Sequence, residues 1–428
     1  MALQVIRPGD QGYEQLRDTF IHQGSPARIV RAETAADVAE AIMLARREGL
    51  PIAVRSGGHS AAGFGTNDGG LVIDLSPMNG VELLGDDLVR VGTGAHWGDV
   101  AATLAPHGLA VSSGDTSSVG VGGLLLGGGI GWMVRKHGLA LDHLVAAEVV
   151  TASGEIVRAS AEDNPDLFWA IRGGGGNVGI VTRFELRATR ESDVTFARII
   201  YDVAGTEAVV KGWRDLMRTA GEGLTTTLQL YPAFGEDVPP TVGIMAAYAG
   251  ADPAAVEPLL GLGEVVDSEI TVKPYAEVLE EAALPPGWLP IVRNRFADVL
   301  TDELVDDILA HKDRVPMMYV ELRAVGGAMA RVPADDTAFA HRSAEIMLLT
   351  VVLGSPDDHM PVRDEFEAVW RVLEPHTSGA YVNFFSETTQ ADLEAVYPDA
   401  TRKRLAVVKA TYDPDNLFRG NVNVLPQE

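Results

Sequence analysis

The placement of glycine constrains this chain more than any other feature of it. Glycine is dense from Gly57 to Gly179 and much sparser afterwards. Three clusters carry it. They are Arg55-Ser56-Gly57-Gly58-His59-Ser60, then Val119-Gly120-Val121-Gly122-Gly123 continuing through Gly127–Gly131, and Gly173-Gly174-Gly175-Gly176-Asn177-Val178-Gly179. Each glycine carries an entropy cost, so repeated use implies unusual backbone angles or backbone that approaches something closely. The third cluster contains a formal G-x-G-x-x-G at Gly174, Gly176 and Gly179. A dinucleotide fingerprint needs a strand before that pattern and a helix after it. Here the helical stretch Asn164–Ile171 precedes and the strand-like Ile180–Leu186 follows, so the Rossmann reading fails. No G-x-x-x-x-G-K-[ST] occurs, which removes the P-loop NTPases. An extended cofactor running along backbone explains the three clusters together, although Gly127–Gly131 also reads as tight small-residue packing.

The first cluster closes an apolar strand, Pro51–Val54. Successive N–H groups in such a turn form a nest for pyrophosphate oxygens, and Arg55 adds positive charge. His59, neutral near pH 7, can coordinate, transfer a proton or attack an electrophilic carbon.

With 428 residues, two domains are expected. The formal charge of −26 opposes nucleic-acid binding and adhesion to anionic membranes. There is no cysteine, which excludes disulfides, thiolate metal sites and cysteine nucleophiles. His96, His107, His137 and His143 lack metal-ligand spacing, and no metal is expected. Met1–Asp10 has neither a basic n-region nor an apolar h-region, so no signal peptide is expected and a cytoplasmic location is the default.

The spacing predicts helices over Thr34–Gly49, Trp97–His107 and Asn164–Ile171, with short strands at Leu71–Asp74, Leu88–Val91, Leu144–Thr151, Glu155–Ala159 and Gly179–Leu186. From about Ser192 the texture changes. Longer strands are predicted at Phe196–Val203, Thr225–Tyr231, Val242–Ala249, Met317–Leu322 and Met347–Val352. Amphipathic helices are predicted at Thr206–Thr219, Asp302–Lys312 and Arg363–Leu373. The fold class is therefore α+β: a cofactor domain over 1–190, an antiparallel sheet backed by helices over 191–395, and a tail over 396–428 that returns to the first domain.

The sequence resembles the vanillyl-alcohol-oxidase superfamily with its PCMH-type, two-part FAD-binding domain, and within it the berberine-bridge-enzyme-like oxidases. The resemblance rests on Arg55–Ser60, Thr66–Leu75, Val119–Leu124, Asp166–Gly175, Tyr381-Val382-Asn383 and Tyr412–Phe418. It implies FAD, bonded through its 8α-methyl to His59. It further implies flavin contacts from Arg55, Ser56, Gly57, Gly58, Ser60, Gly63, Asp74, Thr116, Val119, Gly120, Gly122, Gly123, Gly179, Ile180, Val181, Tyr381, Asn383 and Asn421. Many relatives add a second tether from a cysteine where this chain has Thr116, so single attachment is expected, as in the 6-hydroxy-D-nicotine oxidase branch. Val119, small and three residues on, resembles the oxidases that use O2.

Catalytic candidates come from the second domain. In Met317–Arg323 the alternation puts Tyr319, Glu321 and Arg323 on one strand face. The resemblance points to Glu321 as a base, with Tyr319, Tyr381 and Asn383 as further candidates. Glu321 is also readable as an ion-pair partner of Arg323 or Arg293, and Tyr319 as a packed aromatic. Tyr381 and Asn383 are expected to share a face in the same way. The implied activity is oxidation of a small amine or alcohol, with O2 giving H2O2. A dehydrogenase and a flavin-loaded sequestering protein are the alternatives. A monomer or homodimer is expected, with the small-molecule substrate and O2 as the only partners.

Overall fold

Three β-sheets organise the chain in the computed structural model, which describes residues 3–191, 193–234, 238–281 and 283–427. The first sheet has four short strands in the order Val5–Ile6, Arg28–Arg31, Leu71–Asp74, Ile52–Arg55, and its last three strands are parallel. Helix Ala35–Glu48 makes the crossover from Arg28–Arg31 to Ile52–Arg55. Val38, Ala41, Ile42 and Ala45, spaced three and four apart, bury its inner stripe against Val30, Ile52 and Ile73. Thr34 and Asp37 form a capping box at its start, and Gly49 ends it in the left-handed region at φ 66°.

The second sheet is antiparallel, in the order Val81–Leu83, Leu88–Gly92, Ile180–Arg187, Leu144–Val150, Ile156–Ser160. Its core reaches across to the C-terminal residues Leu405, Val408, Val422 and Val424. The tail is thus part of this half: Asn177 Nδ2 donates to the Val422 carbonyl at 3.1 Å, and its Oδ1 accepts from the Val424 amide at 2.9 Å. A buried ion pair, Lys409–Asp413 at 3.3 Å, pins helix Asp399–Tyr412 to the turn that follows it.

The third sheet has seven antiparallel strands. Their order is Val265–Pro274, Asp193–Tyr201, Thr241–Tyr248, Leu224–Tyr231, Met318–Ala324, Ile346–Val352, Ile291–Ala297. Met318, Val320, Leu322 and Ala324 point to one side, where helices Thr206–Thr219, Asp302–His311 and Arg363–Leu373 cover them. Tyr319, Glu321 and Arg323 take the other side, towards the cofactor half, where Arg323 meets Asp115. Two of the seven strands, Val265–Pro274 and Ile291–Ala297, have no counterpart among the sequence-based expectations. The helix expected over Trp97–His107 is α-helical only to Leu104 and tightens into a 3-10 turn at Ala105-Pro106-His107. Among the described residues no helix is long and apolar enough to cross a membrane.

Candidate flavin site

Between the first two sheets and the turn Tyr381–Phe384 a cavity opens, enclosing about 1580 Å³ of space when its open mouth is counted. Its wall comes from the loop after Ile52–Arg55, the loop Gly114–Gly120 with the helix Val121–Gly127 that follows it, the start of strand Ile180–Arg187, the turn Tyr381–Phe384 and the segment Phe418–Val422. Most of the sequence-nominated positions line it: Arg55, Ser56, Gly57, Gly58, His59, Ser60, Val119, Gly120, Gly122, Gly123, Gly179, Ile180, Val181, Tyr381, Asn383 and Asn421.

The glycines at 57 and 120 have a common cause. A Cβ on either would come within 3.0 Å of the other's amide nitrogen, so the two loops touch backbone to backbone. Ser56 Oγ ties them together, donating to the Thr93 carbonyl at 2.6 Å and accepting from the Gly122 amide at 3.2 Å. Among the described residues the amides of Gly57, Gly58, His59 and Ser60 make no hydrogen bond. Free amides beside a cavity are what an anionic ligand requires. Further in, Asn421 Oδ1 is buried on the same wall with no hydrogen-bond partner among the described residues, beside the Tyr397 hydroxyl. Unmet polar atoms on an otherwise apolar wall fit a ligand with both rings and polar groups, as FAD is.

His59 stands at the edge of this cradle with its ring stacked on Phe20, centroids 4.5 Å apart and planes inclined by 14°. Burial first, then repulsion from His96, lowers its pKa to about 4 against a weaker opposing pull from Ser118. The imidazole is therefore uncharged at neutral pH, with a ring nitrogen available as a nucleophile.

Several expectations need correction. Arg55 gives no free positive charge to the nest. Its guanidinium turns away and is consumed by the Leu16 and Asp18 carbonyls, at 2.5 and 3.0 Å, and by Asp74 at 3.4 Å. Asp74 accordingly lies behind the cavity as that anchor and not on its wall. Gly63 also stands off the wall, in a turn at φ 74° where a Cβ would press on the His22 ring. Thr116 does not line the cavity either: its hydroxyl donates to Asp115 Oδ1 at 2.9 Å, and its backbone bridges to Glu280.

The expected catalytic set is likewise rearranged. Glu321 is buried, and its carboxylate accepts from Arg323 at 3.0 Å and from Gln229 at 3.3 Å, so the ion-pair reading describes it. Arg323 continues to Asp115 at 2.7 Å, and Asp115, not Glu321, lines the cavity. Tyr319 also stands off the cavity, packed on Tyr231 with centroids 5.1 Å apart. Burial, reinforced by Glu321, raises the pKa of both tyrosines. Tyr381 and Asn383 sit in a turn, not on a strand. They nonetheless converge, because Asn383 Nδ2 and the Gly129 amide both donate to the Tyr381 hydroxyl oxygen, at 3.0 and 2.8 Å. Burial pushes the Tyr381 pKa up to about 12. Gly127 and Gly128 make room for this pair, since a Cβ at Gly127 would strike the Asn383 amide and one at Gly128 the Tyr381 ring, whereas Gly129 and Gly131 are packed tightly against Ala140 and the Ser113-Gly114 backbone.

Sequence reasoning missed Phe20, Phe64, Asp115, Tyr397 and Asn294. Asn294 is a fully buried strand residue whose side chain holds the Tyr381–Phe384 turn, donating to the Tyr381 and Phe384 carbonyls and accepting from the Tyr381 amide at 2.7 Å. The one available signal was an asparagine set between Arg293 and Arg295, after Ile291-Val292 and before Phe296.

Comparison with known proteins identifies the family. Residues 26–160 match the family described as FAD binding domain, and residues 380–424 the family described as berberine and berberine like. The chain is 31% identical over 457 residues to (R)-6-hydroxynicotine oxidase of Paenarthrobacter nicotinovorans, covering 99% of this chain and 97% of that protein. It is also 31% identical over 451 residues to xylooligosaccharide oxidase of Thermothelomyces thermophilus, covering 94% and 88%. The crystal structure of 6-hydroxy-D-nicotine oxidase from Arthrobacter nicotinovorans matches with a TM-score of 0.89 at 29% identity, over 100% of this chain and 98% of that one. The chain therefore belongs to the berberine-bridge-enzyme-like FAD-linked oxidases, a branch of the vanillyl-alcohol-oxidase superfamily, with FAD as its cofactor.

Proposed function

We propose that this oxidase removes a hydride from a C–H bond next to a nitrogen or oxygen of a small organic substrate, passes the electrons to O2 to give H2O2, and holds its FAD by a single covalent bond to His59. The observation that carries the reading is the uncharged His59 imidazole on the cavity wall of a chain without cysteine. A relative named for an amine substrate and another named for an oligosaccharide both support a C–H next to a heteroatom.

When bound, the flavin supplies the two-electron acceptor. The chain's own residues bind, orient and handle protons. The amides of residues 57–60 hold negative charge, and the Gly57–Gly120 contact keeps both loops fixed against it. Tyr381 stays protonated at neutral pH and accepts two hydrogen bonds, which leaves its own O–H to donate. Proton acceptance falls to the group Asp115–Arg323–Glu321, in which the arginine couples a cavity-wall carboxylate to a buried one. Isolated carboxylates buried without a partner would be strongly disfavoured.

The test begins with flavin fluorescence of the protein on a denaturing gel, followed by anaerobic bleaching against amines and alcohols and a peroxide assay in air. Denaturation-resistant fluorescence, absent in His59→Ala, is expected, with bleaching by one substrate class and stoichiometric peroxide. Flavin that washes out on denaturation overturns the tether. Bleaching without peroxide makes the enzyme a dehydrogenase, and tight ligand binding without bleaching makes the protein a sequestering one.

A further inference from the structure

The segment Arg17–Gly24 lies across the loop that carries His59. Arg55 Nη1 reaches the Leu16 and Asp18 carbonyls, Thr66 Oγ1 donates to the Arg17 carbonyl at 2.9 Å, and His22 Nε2 bonds to the Ala61 carbonyl at 2.7 Å. At the centre of this strap the Phe20 amide donates to the Gly58 carbonyl at 3.1 Å. Phe20 is 39% exposed and belongs to none of the described hydrophobic clusters. Its one aromatic partner among the described residues is His59, on which it lies almost flat.

We propose that Phe20 is a positioning residue, fixing the plane of the His59 imidazole so that a ring nitrogen faces the cavity for attachment of the flavin. The proposal rests on the reading of His59 as the tether. An imidazole turns about two side-chain bonds, and the second has only a broad, two-fold preference. Its nitrogen lone pair lies in the ring plane, so fixing the plane fixes the direction of attack. A stacked aromatic ring does this without occupying either nitrogen. The platform also moves with its target, because the hydrogen bond that holds Phe20 ends on the residue immediately before His59. In the attachment itself, a C–N bond to the 8α-carbon replaces one methyl C–H and the imidazole N–H. The two hydrogens and their two electrons leave to O2, which becomes H2O2.

The experiment adds FAD to apo-protein and follows two quantities: total flavin bound after native gel filtration, and flavin that resists denaturation. Wild type, His59→Ala, Phe20→Ala, Phe20→Leu and Phe20→Tyr are compared. Phe20→Ala and Phe20→Leu are expected to bind flavin but attach it about tenfold more slowly or worse, the order expected when a reacting group loses its orientation. Phe20→Tyr restores the ring and should attach near the wild-type rate. A packing role alone would be rescued by leucine as well, and that result overturns the proposal. So does an unchanged attachment rate in Phe20→Ala while His59→Ala attaches none. Absence of resistant flavin in wild type, or its persistence in His59→Ala, instead overturns the His59 reading on which the proposal stands.

Discussion

At residue scale the site depends on what is missing from glycine as much as on what other side chains bring. Gly57 and Gly120, 63 positions apart by number, exclude each other's Cβ, so the contact forbids any side chain at either place. Sequence order predicted that both lie against a ligand; only the fold shows that they lie against each other. His59 was legible as a nucleophile, whereas the ring that stacks on it was not, because Phe20 lies 39 positions away in a stretch with no motif. The polar groups whose roles changed have partners across the fold: Arg55 goes to Asp74, while Glu321, whose pairing with Arg323 was legible two residues along its own strand, also accepts from Gln229. The lowered pKa of His59 has a consequence for stability. Its folded value is about 4 and its ordinary value 6.5, so between those pH values the unfolded chain binds more protons than the folded one. The neutral imidazole therefore favours folding above pH 6.5, and that contribution is lost as pH falls to about 4. Apo-protein should lose stability to urea more steeply across this window than apo His59→Gln, which lacks the titration.

Elements that depend on local chemistry were read closely. Thr34, Asp37 and Gly49 announce both ends of their helix, and helix Thr206–Thr219 has the bounds that its pattern predicts. The Thr34 cap is exposed and accepts from the Asp37 amide at 3.2 Å. Thr34→Ala should cost about 1 kcal/mol of unfolding free energy in urea titration and leave flavin content unchanged. Strand Ile291–Ala297 escaped notice because Arg293, Asn294 and Arg295 break its apolar alternation. All three are satisfied from elsewhere: Arg295 bonds Asp392 at 2.9 Å, Arg293 bonds Glu374 at 2.7 Å, and Asn294 holds the Tyr381 turn. Edge strand Val265–Pro274 was hidden for a related reason, since its exposed Asp267 and Glu269 mask a strand pattern. Tyr381 and Asn383 converge through a turn braced by Asn294, a geometry that no period of two encodes.

At the scale of the molecule, the two halves are joined by charges that neither half satisfies alone. Arg342 of the substrate half makes two bonds of 2.8 Å to Asp142 of the cofactor half, and the arginine side chain is almost wholly buried. Arg323–Asp115 repeats the arrangement beside the cavity. Removing one partner of such a pair leaves the other charge buried. Arg342→Met should therefore destabilise the protein by about 3 kcal/mol, near the lower end for buried pairs because Asp142 keeps its bond to the Leu139 amide. Thermal or urea unfolding checks this, and Asp142→Asn with Arg342→Met together should recover part of the loss. The sequence by itself determined the α+β class, most of the strands and helices, the reversed glycine motif and the cofactor cradle, because each is written in neighbouring residues through backbone angles, periodicity and capping. The tertiary structure alone decided which charges are free, which loops touch and what orients His59. Those outcomes depend on partners distant in sequence, where burial sets the cost of an unpaired group and only the folded chain brings its partner within reach.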